Sequence, residues 1–419
     1  MEDVAIVSAV RTPIGNYMGS LRNVPAYDLV ATVLNEAVKR VKVDPVNVDD
    51  VIFGQCYQSG EYVNIARMGL LTADWPDSVP GITIDRRCTS GADAVCFGAM
   101  EIMTGVSDIV AAGGVESMSS AEFYIPGNIK WGIGRGAGVS FPDAPRGHGS
   151  ISMAGITLYD RIQRSRPMHM PISKYGYVAS NMVWAENSAK EHNLTREQAD
   201  NWALRSHRNA VAAQDAGLFK DQIVPVSVPQ PKGEPKIFDT DEGPRRDTSP
   251  EQLAKLKPTL GGICTPGNSA TENDAAAAFI LVSASKVKEL GVEPLAWVKS
   301  FAFGASNPLT TWKGSPVACE KAMKKAGLTV NDIDVFEVQE AFAIQVLSDL
   351  IEMNIPKEDW DKKVNLCGSG IALGHPLGAT LALRLVNLIY TLNRLKGRYG
   401  LTTTPGAGGI GLGLIIERR

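Results

Sequence analysis

One stretch, LVATVLNEAVKRVKVDPVNVDDVIFGQ (29–55), decides the fold, because its design returns near the other end of the chain as SPVACEKAMKKAGLTVNDIDVFEVQEA (315–341). In both stretches, apolar residues recur at helical spacing, and a short polar turn with Asn and Asp then leads into an apolar strand. Internal similarity of this kind predicts a chain built from two copies of one unit.

The first copy extends outward from this stretch as alternating strands and helices. The predicted elements are strands at EDVAIVSAV (2–10), VDDVIFGQCY (48–57), DIVAAGGVES (108–117) and NDAAAAFILVS (273–283), and helices at AYDLVATVLNEAVKRV (26–41) and ADAVCFGAMEIMTG (92–105). Strands that alternate with helices predict βαβ units and an α/β fold. Residues 121–249 interrupt the pattern with Gly, Pro and polar residues, and they predict an inserted loop domain with helices at 177–192 and 195–214.

The second copy contains NLCGSGIALGHPLGATLALRLVNLIYTL (365–392), which predicts a strand, a turn of small residues and a long apolar helix. The stretch around Cys88 has the same design. We therefore expect an N-terminal half (1–120 plus 250–285), a loop domain (121–249) and a C-terminal half (286–419), with a site between the halves.

Composition excludes several classes of function. The 419 residues are 44% hydrophobic and 21% charged, and the net charge of −3 argues against nucleic-acid or anionic-membrane partners. We find no signal-peptide pattern at the start and no apolar run of about 18 residues. The six cysteines form no CxxC pair, so we expect neither a zinc site nor disulfides, and the cytoplasm as the compartment.

Cys88, in IDRRCTSGADAV (84–95), lies where a predicted strand meets a predicted helix. Backbone N–H groups at a helix start stabilise a thiolate, and the small residues that follow would let a ligand approach. The alternative is a buried, inert cysteine, which is common in proteins.

His375, in ALGHPLGA (372–379), lies in a turn of glycines and proline ahead of a helix, where it could point into a cleft or simply pack in the loop. The other histidines, at 148, 169, 192 and 207, have no metal-ligand spacing. GAGGIG (406–411) matches a dinucleotide motif only formally, because a strand and not a helix follows it, and WGIGRGAG (131–138) fails likewise.

Taken in order, these stretches resemble the thiolase family over essentially the whole chain. The resemblance rests on AVRTPIGNYMGSL, CTSGADAV, GGVESMS, LAKLKPTLGGICTPGNSATENDAAAA, EVQEAFA and GSGIALGHPLGAT. It implies a thiolase fold, with two βαβαβαββ halves in five layers, α-β-α-β-α, and a loop domain that holds coenzyme A. It also implies CoA as a substrate, no permanently bound cofactor or metal, and a homodimer or tetramer.

The resemblance implies catalytic roles for particular residues. Cys88 would carry the acyl group as a thioester, and His375 would take the proton of its thiol. The backbone amides of Cys88 and Gly408 would form one oxyanion hole, and Gln339 would hold a water for the other. Such preorganised donors stabilise the enolate that must leave when a carbon–carbon bond beside a thioester breaks.

The sequence departs from the family at several site positions. The second active-site cysteine of the family is replaced by Pro405, and the asparagine of its NEAF motif is replaced by Gln339. Lys174 and Tyr175, together with Ser180, replace the residues of an HMGxTAE-like run. Further residues predicted in the pocket are Ser269, next to Ala270 at the family's CoA-contacting serine, and Trp312.

These departures leave the second acid–base group open. Cys367 and Glu340 are candidates, as are Tyr175 and Lys174, and a proton from solvent is a further alternative.

We therefore expect CoA-dependent cleavage of a 3-ketoacyl-CoA with a bulky or aromatic acyl group. A role like that of benzoylsuccinyl-CoA thiolase, with a small zinc-containing OB-fold subunit as partner, is one hypothesis. The alternatives are a non-catalytic or regulatory thiolase-like subunit and a general acetyl-CoA C-acetyltransferase. A ketoacyl synthase would need a second catalytic histidine or asparagine, and only one histidine here lies in a family motif.

Overall fold

The secondary structure follows the alternation that the sequence predicts. The computed structural model describes residues 2–126, 150–153, 156–178 and 180–419. Its strands are β1 (Val4–Arg11), β2 (Gly15–Asn16), β3 (Asp50–Gly54), β4 (Ile82–Ile84), β5 (Ile109–Ser117), β6 (Phe123–Tyr124), β7 (Ser150–Met153), β8 (Ile156–Asp160), β9 (Val226–Val228), β10 (Lys236–Phe238), β11 (Asn273–Ser283), β12 (Ala296–Ala305), β13 (Val335–Val338), β14 (Tyr399–Gly406) and β15 (Ile410–Glu417). Its helices are α1 (Ala26–Val41), α2 (Ile65–Thr72), α3 (Ser90–Thr104), α4 (Arg161–Ser165), α5 (Ile172–Tyr175), α6 (Met182–Glu191), α7 (Arg196–Asp215), α8 (Pro250–Ala254), α9 (Ala284–Leu290), α10 (Gly314–Ala326), α11 (Ala343–Glu352), α12 (Lys357–Lys363), α13 (Gly370–Leu373) and α14 (Thr380–Leu395).

One predicted strand, at the start of 365–392, does not form. Phe336 and Val364 make an isolated parallel bridge there, and the chain then turns at Asn365, whose φ is +48°. The Asn365 side chain takes over the pairing, since its Oδ1 accepts from the Val338 N–H and its Nδ2 donates to the Val338 carbonyl, both at 2.8 Å. The side chain thus satisfies backbone groups that a strand would have paired.

The central sheet shows the duplication. Its strand order is β13-β14-β15-β12-β1-β11-β5-β3-β4, and the halves meet where β1 and β12 share two residue pairs, Ala5 with Trp297 and Ile6 with Ala296. In the first half, β3 pairs in parallel with β5, which continues antiparallel to β11 and then β1. The second half repeats this series with β13, β14, β15 and β12.

Three apolar cores separate the layers. One core packs α1 and α2 against the first half-sheet, and another packs α10 and α11 against the second. The central core contains α3 and α14 with residues of both half-sheets. The layers therefore run helix, sheet, helix, sheet, helix, which confirms the predicted thiolase fold.

Small residues allow the two central helices to approach closely near their N-termini. A Cβ on Gly91 of α3 would lie 2.8 Å from the Ala382 Cβ of α14 and 2.8 Å from the Gly378 carbonyl oxygen. Glycine is required here because any side chain would push the helices apart. This contact brings the turn that holds Cys88 beside the turn that holds His375.

The region predicted as a loop domain contains α4–α7 and β6–β10. The predicted helix at 195–214 is α7, which begins with a capping box formed by Thr195 and Gln198. Residues 127–149, and with them WGIGRGAG (131–138) and His148, lie outside the described residues. Among the helices that the structure describes, none is long and apolar enough to cross a membrane.

Candidate active site

Cys88 lies in the turn between β4 and α3, one residue before the helix cap Thr89. Burial raises the pKa of its thiol to about 12, although the backbone N–H of Ala407 and the Arg87 guanidinium act in the opposite direction. Backbone N–H groups thus favour the thiolate as expected, but the desolvation of the thiolate is the larger effect. The resting group is a thiol, which needs a base.

His375 supplies a neutral imidazole with a free lone pair. Its Nδ1 lies 2.6 Å from Thr380 Oγ1, and that hydroxyl already donates its one proton to the Pro376 carbonyl at 2.9 Å. Nδ1 must therefore donate, which leaves Nε2 as the acceptor. Burial, helped by the Arg384 guanidinium, lowers the pKa of His375 to about 3, so the ring is neutral at physiological pH.

The first half of the chain holds the histidine turn in place. The backbone N–H of His375 donates to Asn273 Oδ1 at 2.9 Å, and the backbone N–H of Gly378 donates to Glu116 Oε2 at 2.8 Å. The same Glu116 oxygen accepts the Cys56 N–H at 3.0 Å. Burial raises the pKa of Glu116 to about 7, and its backbone donors oppose that shift.

One cavity of about 140 Å³ brings Cys88 and His375 together. Pro405 and Ala407 of the glycine loop and His169 also line it. Apolar and aromatic side chains form much of the remaining wall, namely Tyr57, Met118, Ile162, Met182, Trp184, Phe342 and Leu377. The cavity thus combines a thiol, two imidazoles and an apolar wall, as nucleophilic acyl transfer requires.

A second cavity of about 690 Å³ adjoins the first. Ser269 lines it, as do the polar side chains His207 and Arg245. The residues that line both cavities are Arg166, Met182, Ala270, Thr271 and Glu272. A ligand could therefore extend from the second cavity to the thiol.

Of the two neighbouring residues in the glycine loop, Ala407 lines the thiol cavity and Gly408 does not. The backbone N–H of Ala407 acts to lower the pKa of the Cys88 thiol. Gly408 has φ of +96°, and a Cβ there would lie 3.2 Å from the His169 carbonyl oxygen. Gly408 therefore lets the loop turn, and its predicted role as oxyanion donor stays a prediction.

Gln339 is fully buried and is not among the residues that line either cavity. Its Oε1 accepts from Arg384 Nε at 2.9 Å, and its Nε2 has no hydrogen-bond partner in the described part of the chain. Arg384 also donates to the carbonyl of Gly374, next to His375, at 2.7 Å. Gln339 is thus linked to the histidine turn through Arg384.

Three predicted pocket residues lie elsewhere. Lys174 is exposed, with its ammonium 5.1 Å from the centre of the Tyr175 ring, and neither residue lines the two cavities. Trp312 is fully buried in the core of the second half. Trp312 lies in a short helical turn that packs into this core. The sequence alone does not distinguish such a position from one in a pocket.

The two main candidates for the second acid–base group are also structural. The Cys367 sulfur lies in the central core, 3.7 Å from Thr391 Oγ1. Glu340 is fully buried and accepts four hydrogen bonds, from Trp202 Nε1, Asn365 Nδ2, Ser206 Oγ and the Ile371 N–H. Neither residue lines the thiol cavity.

Sequence reasoning missed His169 as a residue of the site. His169 lines the thiol cavity, its Nδ1 contacts the Arg166 carbonyl, and its Nε2 is buried without a hydrogen-bond partner among the residues that the structure describes. Burial and the Arg87 guanidinium lower its pKa. A single histidine in a proline- and methionine-rich loop carries no local signal of this position.

Away from the cavity, Glu191, His192 and Glu352 converge within 4.8 Å of one another. The Lys313 ammonium contacts Glu191 and lies 3.7 Å from Glu352. A cation of the chain itself thus neutralises these carboxylates, and we assign the cluster to an ion-pair network.

Comparison with known proteins identifies the architecture around this cavity. Residues 4–285 match the model of the thiolase N-terminal domain, and residues 292–418 match that of the thiolase C-terminal domain. The chain belongs to the thiolase family. This thiolase is therefore an acyltransferase by family.

Curated relatives and solved structures cover the whole chain. It is 39% identical to acetyl-CoA acetyltransferases of Syntrophomonas wolfei (99% of each chain) and Cupriavidus necator (100% of each). The acetyl-CoA acetyltransferase of Bacillus anthracis superposes with a TM-score of 0.88 at 37% identity, and human mitochondrial 3-ketoacyl-CoA thiolase with 0.89 at 33%. Each superposition covers 100% of this thiolase and 99% of the other chain.

Proposed function

We propose that this thiolase cleaves a 3-ketoacyl-CoA by thiolysis, passing the acyl group through a thioester on Cys88. The observation that carries the proposal is the shared cavity, which the Cys88 thiol and the neutral His375 line together with Ala407 of the glycine loop. Thiolase-type acyl transfer is also what the names of the relatives describe.

In this mechanism, His375 Nε2 takes the proton of Cys88 as the sulfur attacks the C3 carbonyl. The backbone N–H of Cys88 and one from the glycine loop, at Ala407 or the predicted Gly408, then stabilise the oxyanion. The C2–C3 bond breaks and its electron pair leaves as the enolate of an acyl-CoA. A CoA thiol attacks the Cys88 thioester and releases the second acyl-CoA. Gln339 contributes through Arg384 and the histidine turn.

We propose that the second cavity receives the CoA moiety and that Ser269 contacts it. The support is its continuity with the thiol cavity and its polar lining, which includes Arg245 and His207.

For the acyl group, we keep the prediction of a bulky or aromatic substrate. The thiol cavity of about 140 Å³ has an apolar wall. A cavity of roughly 150 Å³ is enough to bind benzene. A single aryl ring, such as that of benzoylsuccinyl-CoA, would therefore fill it.

The assembly is also a proposal. β4 is an edge strand, and Ile82 on it is 48% exposed, which favours a homodimer or tetramer in which this edge is covered. A small zinc-containing OB-fold subunit as partner and a cytoplasmic location stay predictions from the sequence. Light scattering and co-purification from the native host test the two forms of assembly.

The experiment that tests the function is a CoA-dependent cleavage assay on short-chain, long-chain and aryl 3-ketoacyl-CoA esters. We expect turnover, a Cys88-bound acyl group in the intact mass, and loss of both in Cys88→Ser. Activity on acetoacetyl-CoA alone would reject the aryl substrate and favour a general acetyltransferase. Absence of any acyl-enzyme would favour the non-catalytic subunit, to which Pro405 points.

A further inference from the structure

The thiol cavity contains a proton acceptor that the nucleophilic steps do not use. Thiolysis needs two proton transfers in different places, one at the attacking sulfur and one at the α-carbon of the leaving acyl-CoA. His375 serves the sulfur. Pro405, which lines the same cavity, has no group that could serve the carbon.

His169 lines this cavity together with Cys88 and Pro405. Its backbone packs against the glycine loop, because its carbonyl oxygen would be 3.2 Å from a Cβ on Gly408. Arg87, the residue before the nucleophile, lines the same cavity.

The hydrogen bonding of His169 fixes which nitrogen can react. Nδ1 contacts the Arg166 carbonyl, and a carbonyl oxygen only accepts, so Nδ1 carries a proton in this contact. Nε2 is buried and has no partner among the described residues. A buried polar atom without a partner calls for an explanation, and a bound water, a ligand or a reacting group can each supply the missing partner.

We infer that His169 is the second acid–base residue of this thiolase and that its Nε2 exchanges a proton with the α-carbon of the acyl-CoA. The inference rests on the proposed function. In the condensation direction, Nε2 takes the C2 proton, the C2–H electron pair forms the enolate, and the enolate attacks the Cys88 thioester and displaces the sulfur. In thiolysis His169 enters the cycle with a proton taken from solvent on Nε2, and it gives this proton to C2 as the C2–C3 bond breaks. The CoA thiol then passes its proton to Nε2 as it attacks the thioester, and the released Cys88 thiolate recovers its own proton from His375.

The test separates the two proton transfers. The full-length enzyme is incubated in D₂O with the two acyl-CoA products of the 3-ketoacyl-CoA that it cleaves fastest in the panel. Two quantities are measured, acyl transfer to Cys88 by intact mass and deuterium entry at C2 of the acyl-CoA that leaves as the enolate. His169→Gln should keep acyl transfer and lose roughly 10²–10⁴-fold in the rate of deuterium exchange. Added imidazole should restore exchange in His169→Ala. His192→Gln, a histidine outside the cavity, is the matched control and should change neither quantity.

The outcomes distinguish this inference from the function on which it rests. Exchange in His169→Gln within threefold of the wild-type rate overturns the role of His169 and leaves the proposed function intact. His169→Gln could lose both acyl transfer and deuterium exchange. In that case, failure of added imidazole to restore exchange in His169→Ala also overturns the role of His169. A wild-type enzyme that takes no acyl group from acetyl-CoA or from any 3-ketoacyl-CoA of the panel rejects the proposed function itself.

Discussion

Gly374, the residue before the proposed base, offers a quantitative test of how the histidine turn is built. Its φ of 100° and ψ of 171° lie in a region open essentially only to glycine. In Gly374→Ala the backbone strain costs about 1–3 kcal/mol. The new Cβ would also lie 2.4 Å from the carboxamide carbon of Asn273. Overpacking of this kind adds about 1–3 kcal/mol, so the free energy of unfolding should fall by about 2–6 kcal/mol.

The same substitution should also reduce turnover. Asn273 Oδ1 accepts a hydrogen bond from the backbone N–H of His375, so a displaced carboxamide shifts this backbone and the imidazole ring with it. A displacement of about 1 Å at a catalytic group lowers the rate by roughly 10²-fold.

The matched control is Gly105→Ala, at the end of α3. Gly105 also has positive φ, +75°, but a Cβ there meets nothing within 4 Å. We expect only the backbone cost of about 1–2 kcal/mol and unchanged turnover. Urea unfolding and steady-state cleavage assays compare the two variants. Equal losses of stability, with normal turnover in Gly374→Ala, would refute the packing argument.

Three further predictions concern protonation and hydrogen bonding. Burial raises the pKa of Cys88 to about 12. The rate of its alkylation by iodoacetamide should therefore rise about tenfold per pH unit from roughly pH 7 to 10, because the thiolate is the reacting form. A rate that levels off below pH 9 would contradict a resting thiol. The folded-state pKa of His375, about 3, lies below its ordinary value of 6.5, so the unfolded chain binds the extra proton and stability falls as pH drops from 6.5 towards 3. In His375→Gln, the free energy of unfolding measured with urea should fall less steeply over this pH range, by about 1.4 kcal/mol per pH unit. An unchanged dependence of that free energy on pH would count against a buried neutral ring. Glu116→Gln should lower the free energy of unfolding by about 1–3 kcal/mol, because an amide cannot accept all the backbone N–H groups that donate to the carboxylate. The control Glu293→Gln, at an exposed glutamate, should change this free energy little. Equal effects of the two substitutions would argue against the Glu116 contacts.

Much of the scaffold could be predicted because local patterns determine it. The helix predicted at 26–41 matches α1 residue for residue, since its apolar positions follow one helical face. The strand predicted at 273–283 is β11. The strand predicted near Asn365 fails because a side chain there substitutes for strand pairing, which no periodicity indicates.

The site was less predictable, because its members meet only in the folded chain. Cys88 and His375 stand in distinctive turns, whereas His169 lies in the link between α4 and α5, where no motif marks it. Trp312 and Glu340 lie close in sequence to motif residues, yet burial and hydrogen bonding assign them to the core. The resemblance predicts the oxyanion donor at Gly408, whereas the structure shows Ala407 lining the thiol cavity, and only loop geometry decides which backbone N–H faces a ligand.

The division of the site between the two copies has a consequence for synthesis of the protein. As the chain leaves the ribosome, Cys88 emerges long before His375. Asn273 and Glu116 also emerge before the histidine turn whose backbone N–H groups they accept. A nascent first half therefore carries a thiol without its base. Acyl transfer can start only when the last hundred or so residues have folded onto the first copy.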